Sequence, residues 1–155
     1  MSDHADGQRE LTAYQFTVCL LAALTRRGYV AMWAPRSDRT HVTDVAAAAT
    51  WEHLKQQPEG DFNYRFRVYT HPNYRYSGDW QEQLGECEAV GLITLLTPQA
   101  ARSDKFWYRF EAEWLQSLAP EFPGSDELWD EVSSVFVEHI EAEEPFALAG
   151  APLSW

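Results

Sequence analysis

The sequence predicts an α/β protein, on three observations. Three apolar, β-prone runs lie along the chain, stretches of helical periodicity separate them, and each run meets a proline, giving the order α-β-α-β-α-β-α-α. Strands spaced by helices in this way argue for a parallel sheet with right-handed crossovers. The length of 155 residues suits a single domain, and a chain of this size buries about 68–70% of its unfolded surface.

The first element is a helix from Leu11 to about Arg27, with Leu11, Tyr14, Val18 and Leu21 at helical spacing. Arg26 and Arg27 suit the negative end of its dipole, and Gly28 stops it. The run 29–34 (YVAMWA) reads as a buried strand ended by Pro35. Thr40 or Thr43 caps a second helix over 42–57, rich in alanine, and Pro58 to Gly60 end it. Residues 62–71 alternate Phe62, Tyr64, Phe66 and Val68 with Asn63, Arg65, Arg67 and Tyr69, a half-buried strand by its period of two. After a loop over 72–78, Asp79 caps a third helix reaching Cys87 or Ala89, with Glu82 completing a capping-box-like pattern. The stretch 89–98 (AVGLITLLTP) reads as a fully buried strand. A helix from Ser103 or Asp104 to Leu118 is expected next, carrying aromatics at 106, 107, 108, 110 and 114. Ser125 caps the last helix, and the tail from Pro145 reads as a loop.

These elements together predict a flavodoxin-like parallel sheet with flanking helices and extra helices at both ends. In such sheets ligands lie beyond the carboxyl ends of the strands, which directs attention to the segments after Ala34, Tyr69 and Leu96.

Charge is divided unevenly along the chain. Residues 1–78 hold 9 basic and 8 acidic side chains, whereas 79–155 hold 3 and 16. A net charge of −12 argues against nucleic-acid binding, which needs a basic footprint to neutralise phosphates. An acidic second half either solubilises the chain or docks a basic partner. Cys19 and Cys87, far apart and in apolar surroundings, read as reduced core thiols of a cytoplasmic protein. The N-terminus lacks the basic start of a secretory signal, and the apolar run 16–24 is too short to span a bilayer. The histidines at 4, 41, 53, 71 and 139 have no metal-site spacing, and the chain has neither a Gly-x-Ser-x-Gly elbow nor a Walker-type phosphate loop.

The post-strand segments place Arg36, Ser37, Asp38, His71, Tyr76, Trp80, Ser103 and Glu111 near one edge of the expected sheet. On one helix, Trp107 and Glu111 are four residues apart and share a face, holding a carboxylate beside an indole. Residues 28–118 resemble a Toll/interleukin receptor (TIR) domain. The matching features are Gly78, Asp79 and Trp80 at a helix start, Leu96, Thr97 and Pro98 at a strand end, and Ser103, Trp107 and Glu111 beyond it. The resemblance divides the single domain into a helical extension (1–27), a TIR-like core (28–118) and an acidic C-terminal helix and tail (119–155).

The resemblance implies cleavage of the nicotinamide–ribose bond of NAD, as substrate, or signalling by self-assembly as a homo-oligomer. It makes Glu111 the catalytic carboxylate. A negative charge suits that chemistry because the bond breaks through a ribosyl cation. Trp80 and Trp107 would stack on the nucleotide, and Arg36 with Ser37 would meet the pyrophosphate. No metal or bound cofactor is expected. Simpler roles stand beside these: Glu111 as a solvated helix carboxylate, the two tryptophans as packing residues, and Arg36 pairing with Asp38 across a turn. A small acidic protein-binding module of the immunity or inhibitor type, docking a basic partner through its C-terminal half, is the alternative function.

Overall fold

A computed structural model describes residues 9–35, 42–71, 74–77, 79–96, 105–143 and 147–150. Among them lie five helices: α1 (Ala13–Arg26), α2 (Val42–Gln56), α3 (Trp80–Ala89), α4 (Ala112–Leu118) and α5 (Asp126–Glu143). The strands are β1 (Glu10–Thr12), β2 (Ala31–Pro35), β3 (Asn63–Arg65), β4 (Val68–His71), β5 (Tyr74–Ser77), β6 (Ile93–Leu95), β7 (Lys105–Phe110) and β8 (Leu148–Ala149).

Helix α1 is the axis of the molecule. The Thr12 hydroxyl accepts from the Gln15 N–H at 3.1 Å and Gln15 Oε1 accepts from the Thr12 N–H at 3.0 Å, a capping box that satisfies two donors the first turn leaves open. Phe16, Val18, Leu20, Leu21 and Leu24 are all 0% exposed. A helix apolar on every side must be enclosed, and α3, α4 and α5 pack around it. At its far end, Arg26 Nε donates to Asp130 Oδ1 at 2.8 Å and Arg27 Nε to Ser133 Oγ at 2.7 Å. Gly28 then turns the chain at φ +95°, a left-handed position that favours glycine. Helix α2 packs most extensively on α5, where its buried Ala46, Ala47 and Ala48 permit a close approach. One apolar cluster runs from Leu11 to Leu148 and draws on all five helices, so residues 28–118 share their core with the segments before and after them.

The sheet is not the flavodoxin-like parallel one that the sequence predicts. Four strands lie in the order β6-β7-β2-β8, and every adjacent pair is antiparallel. The parallel pairing found among the described residues is β1 with β3, in a separate two-stranded sheet. The three strands expected side by side are dispersed: β2 and β6 flank β7, while β4 pairs with β5 elsewhere.

Two local differences produce this outcome. The segment expected as one helix from Ser103 to Leu118 is split into β7 and α4. In 105–110 (KFWYRF) the aromatics satisfy a period of two as well as a helical one, and pairing along the whole of β2, from Ala31↔Arg109 to Pro35↔Lys105, decides for the strand. The strand expected over 62–71 is broken into β3 and β4. At the break the Arg67 N–H donates to Asp79 Oδ2 at 2.7 Å rather than to a ladder, and Phe66 turns into the core, 7% exposed.

Residues 74–77, expected within a loop, form β5 against β4, whereas the remaining helices follow their sequence signals. The Ser125 hydroxyl accepts from the Leu128 N–H at 3.2 Å at the start of α5. Asp79 stands at the start of α3 but makes no side-chain cap, because its carboxylate is committed to Arg67. The C-terminal tail contributes β8, which pairs with β2, where a loop is expected. No helix among the described residues is long and apolar enough to cross a membrane.

Candidate functional site

Glu111 sits where β7 ends and α4 begins. Thr94 and Arg109 are opposite one another in the β6–β7 ladder, and Glu111, two residues past Arg109, keeps to the same face by strand alternation. Its Oε2 accepts from the Thr94 hydroxyl at 2.7 Å and from Arg109 Nε at 3.0 Å. The Thr94 hydrogen bond, aided by the bond and charge of Arg109 and opposed by partial burial, holds the Glu111 carboxyl below the usual glutamate range. The group is therefore an ionised carboxylate whose charge is met in place, and an ionised carboxylate has no proton to give as a general acid.

Thr94→Val is expected to raise the Glu111 pKa toward the ordinary value, read by NMR titration of its carboxyl carbon. A lowered folded-state pKa supplies stability at pH values above the unfolded pKa, and this is lost as pH falls through the folded one. The variant should thus be less stable than the wild type near neutrality, with the gap closing as pH falls through the Glu111 pKa on the acid limb. An unmoved titration would mean that Arg109 alone sets the value.

Of the remaining residues that the resemblance assigns to the site, the two described ones, Trp80 and Trp107, do not gather around Glu111. Trp107 lies on β7, half-buried and opposite Trp33, so the shared helix face expected for Trp107 and Glu111 is absent. Four residues of extended chain span about 13 Å, against about 6 Å along a helix. Trp80 is 0% exposed with its ring centroid 5.4 Å from that of Phe136. It is a core residue and offers no face to a nucleotide. Arg36 and Ser37 lie outside the described residues, as does Ser103.

Three features escaped the sequence reading. A groove of about 510 Å³ runs between α2 and α5, lined among others by Val45, Ala49, Glu52, His53, Val135 and His139. In it His53 Nε2 is 3.6 Å from Glu131 Oε2, and His139 Nδ1 is 3.0 Å from the Val135 carbonyl oxygen. A second cleft of about 600 Å³ holds Tyr14, Tyr64, Arg67 and Asp79, where Arg67 Nε donates to Asp79 Oδ1 at 2.8 Å. No group of histidine, cysteine or carboxylate side chains among the described residues is arranged to hold a metal ion. The third feature is Trp114, one of the five aromatics assigned to a single helix, which the split at Glu111 leaves 67% exposed on the outside of α4.

Charge completes the picture. Beyond Arg109 the chain has no lysine or arginine and eleven aspartates and glutamates. Glu113, Glu121, Asp126, Glu127, Glu131, Glu138, Glu141 and Glu143 are exposed on or beside α4 and α5. Arg26, reaching across from α1, meets Asp126 at 3.6 Å and Asp130 at 2.8 Å. Among the described residues Glu113, Glu121, Glu127, Glu138 and Glu143 enter no ion pair. Comparison with known protein families, with curated proteins and with solved structures returned no match.

Proposed function

We propose that the chain is a protein-binding module whose acidic second half docks a basic partner. One observation carries this reading: the segment after Arg109 has eleven acidic side chains and no lysine or arginine of its own, and among the described residues Glu113, Glu121, Glu127, Glu138 and Glu143 enter no ion pair. Unneutralised like charges repel one another and cost the folded state stability. A basic partner removes that repulsion on binding and is steered to the surface from a distance. The NAD-cleavage reading draws less support, because the carboxylate assigned to it is already held by Thr94 and Arg109 and the Trp80 indole is enclosed.

The test is capture from a cell lysate on the immobilised chain, compared with a variant carrying Glu127→Gln, Glu138→Gln and Glu143→Gln. A basic protein should be retained at physiological salt and released near 1 M salt, where the screening length falls from about 8 Å to about 3 Å. The triple variant should retain much less of it. Equal retention by both chains, or release of nicotinamide from NAD by the wild type and not by Glu111→Gln, would overturn the reading.

A further inference from the structure

Trp114 is 67% exposed and Val90 60% exposed, the large apolar side chains that the described surface leaves in water. Each lies within three residues in sequence of one backbone junction. Helix α3 ends at Ala89, Val90 follows, and the Glu111 N–H at the start of α4 donates to the Leu92 carbonyl at 3.0 Å. Nothing in the fold calls for an indole at Trp114. The inward face of α4 is met by Leu115, 0% exposed, and by Gln116, whose Nε2 donates to Thr25 Oγ1 at 2.8 Å on α1. Trp114 lies on the outer face of α4, where a polar residue would serve the helix equally well. A tryptophan placed so keeps apolar area in water that binding can bury, and tryptophan is among the residues that most often dominate interface energetics.

The surroundings specify the occupant. Glu113, the neighbour of Trp114 on α4, and Glu121 just beyond the helix are exposed, and the chain beyond Arg109 supplies no lysine or arginine. An acidic segment of this kind repels a second copy of itself and attracts cations. Among cations, guanidinium is planar and weakly hydrated and stacks on an indole, whereas ammonium is compact and strongly hydrated. We propose that Trp114 is the anchor of the docking surface and that the basic partner seats an arginine side chain against its ring, beside the neighbouring carboxylate of Glu113 on α4. This rests on the basic-partner reading above and adds to it a centre and a preference for arginine over lysine.

The experiment uses the full chain and two dye-labelled peptides of equal length, oligoarginine and oligolysine, with binding followed by fluorescence anisotropy. Wild type should bind oligoarginine about tenfold more tightly than oligolysine, the scale of one well-placed anchor. Trp114→Ala should abolish that preference while leaving the oligolysine affinity and its salt dependence unchanged. Trp114→Phe, which keeps a ring, should retain part of it. Because Trp114 is exposed, each variant should melt with the wild type.

An undiminished arginine preference in Trp114→Ala overturns the anchor, and so does equal binding of the two peptides by the wild type. Loss of oligolysine binding in the Glu127, Glu138 and Glu143 triple variant would still uphold the acidic surface. Failure of both peptides to bind the wild type sinks both proposals. Self-association of the wild type in sedimentation that Trp114→Ala removes would assign the indole to a second copy and overturn the arginine partner.

Discussion

Phe16→Ala is expected to cost about 3–5 kcal/mol of folding stability, the usual range for deleting a fully buried phenylalanine. Its ring is 0% exposed, with its centroid 4.5 Å from that of Phe66 and 5.8 Å from that of Trp129. It therefore joins the central helix α1 to the break between β3 and β4 and to α5. Removing it withdraws support from three elements at once, and the rigid rings of Phe66 and Trp129 limit how far the gap can close. A domain of this size has a total stability of about 5–15 kcal/mol, so the variant should melt about 6–20 °C lower. Urea or thermal unfolding followed by circular dichroism measures this. A loss below about 1 kcal/mol, typical of surface positions, would place Phe16 outside the core.

Asp79→Ala should rank second, at about 2–4 kcal/mol, because it strips a buried carboxylate of hydrogen bonds that involve charge. Asp79 is 5% exposed. Oδ2 takes the Arg67 N–H at 2.7 Å, and Oδ1 takes Arg67 Nε at 2.8 Å and lies 2.6 Å from a terminal guanidinium nitrogen. Without it, the backbone N–H of Arg67 loses an acceptor at the point where β3 gives way to β4. The guanidinium is 64% exposed, so water recovers part of what that group loses, and the estimate is set below the cost of breaking a fully buried pair. Asp79→Asn keeps an acceptor for the backbone N–H and should cost about half as much. Denaturant midpoints of the two variants separate the contributions. Equal costs would mean that the charge, rather than the backbone acceptor, is what matters at this position.

Both predictions involve residues whose types were plain in the sequence and whose partners were not. The helices were legible because their signals are local: Ser125 accepts from an N–H three residues on, the apolar residues of α1 recur at helical spacing, and the alanines of α2 favour a helix wherever they stand. Strand placement near β2 was legible for the same reason. Strand direction was not, since a buried run reads alike in a parallel and an antiparallel sheet, and only its neighbours decide. The 105–110 segment satisfied two periodicities at once, and the tie was broken by β2, more than seventy residues earlier. Asp79 had the composition of a helix cap, yet a stronger donor twelve residues back claimed it. The site suffered from the same blindness. Glu111 was identifiable as a carboxylate of interest, but Thr94 and Arg109 reach it only because a hairpin folds them together, and Trp114 is recognisable as surface only once the helix before it becomes a strand.

The four-stranded sheet has outer members of only three residues, β6, and two residues, β8. Rims that short display too few free amide and carbonyl groups to template an added strand from another polypeptide. At these two rims, among the described residues, the sheet is guarded against edge-to-edge stacking, and a molecule recognised there must be read through side chains rather than through borrowed backbone pairing.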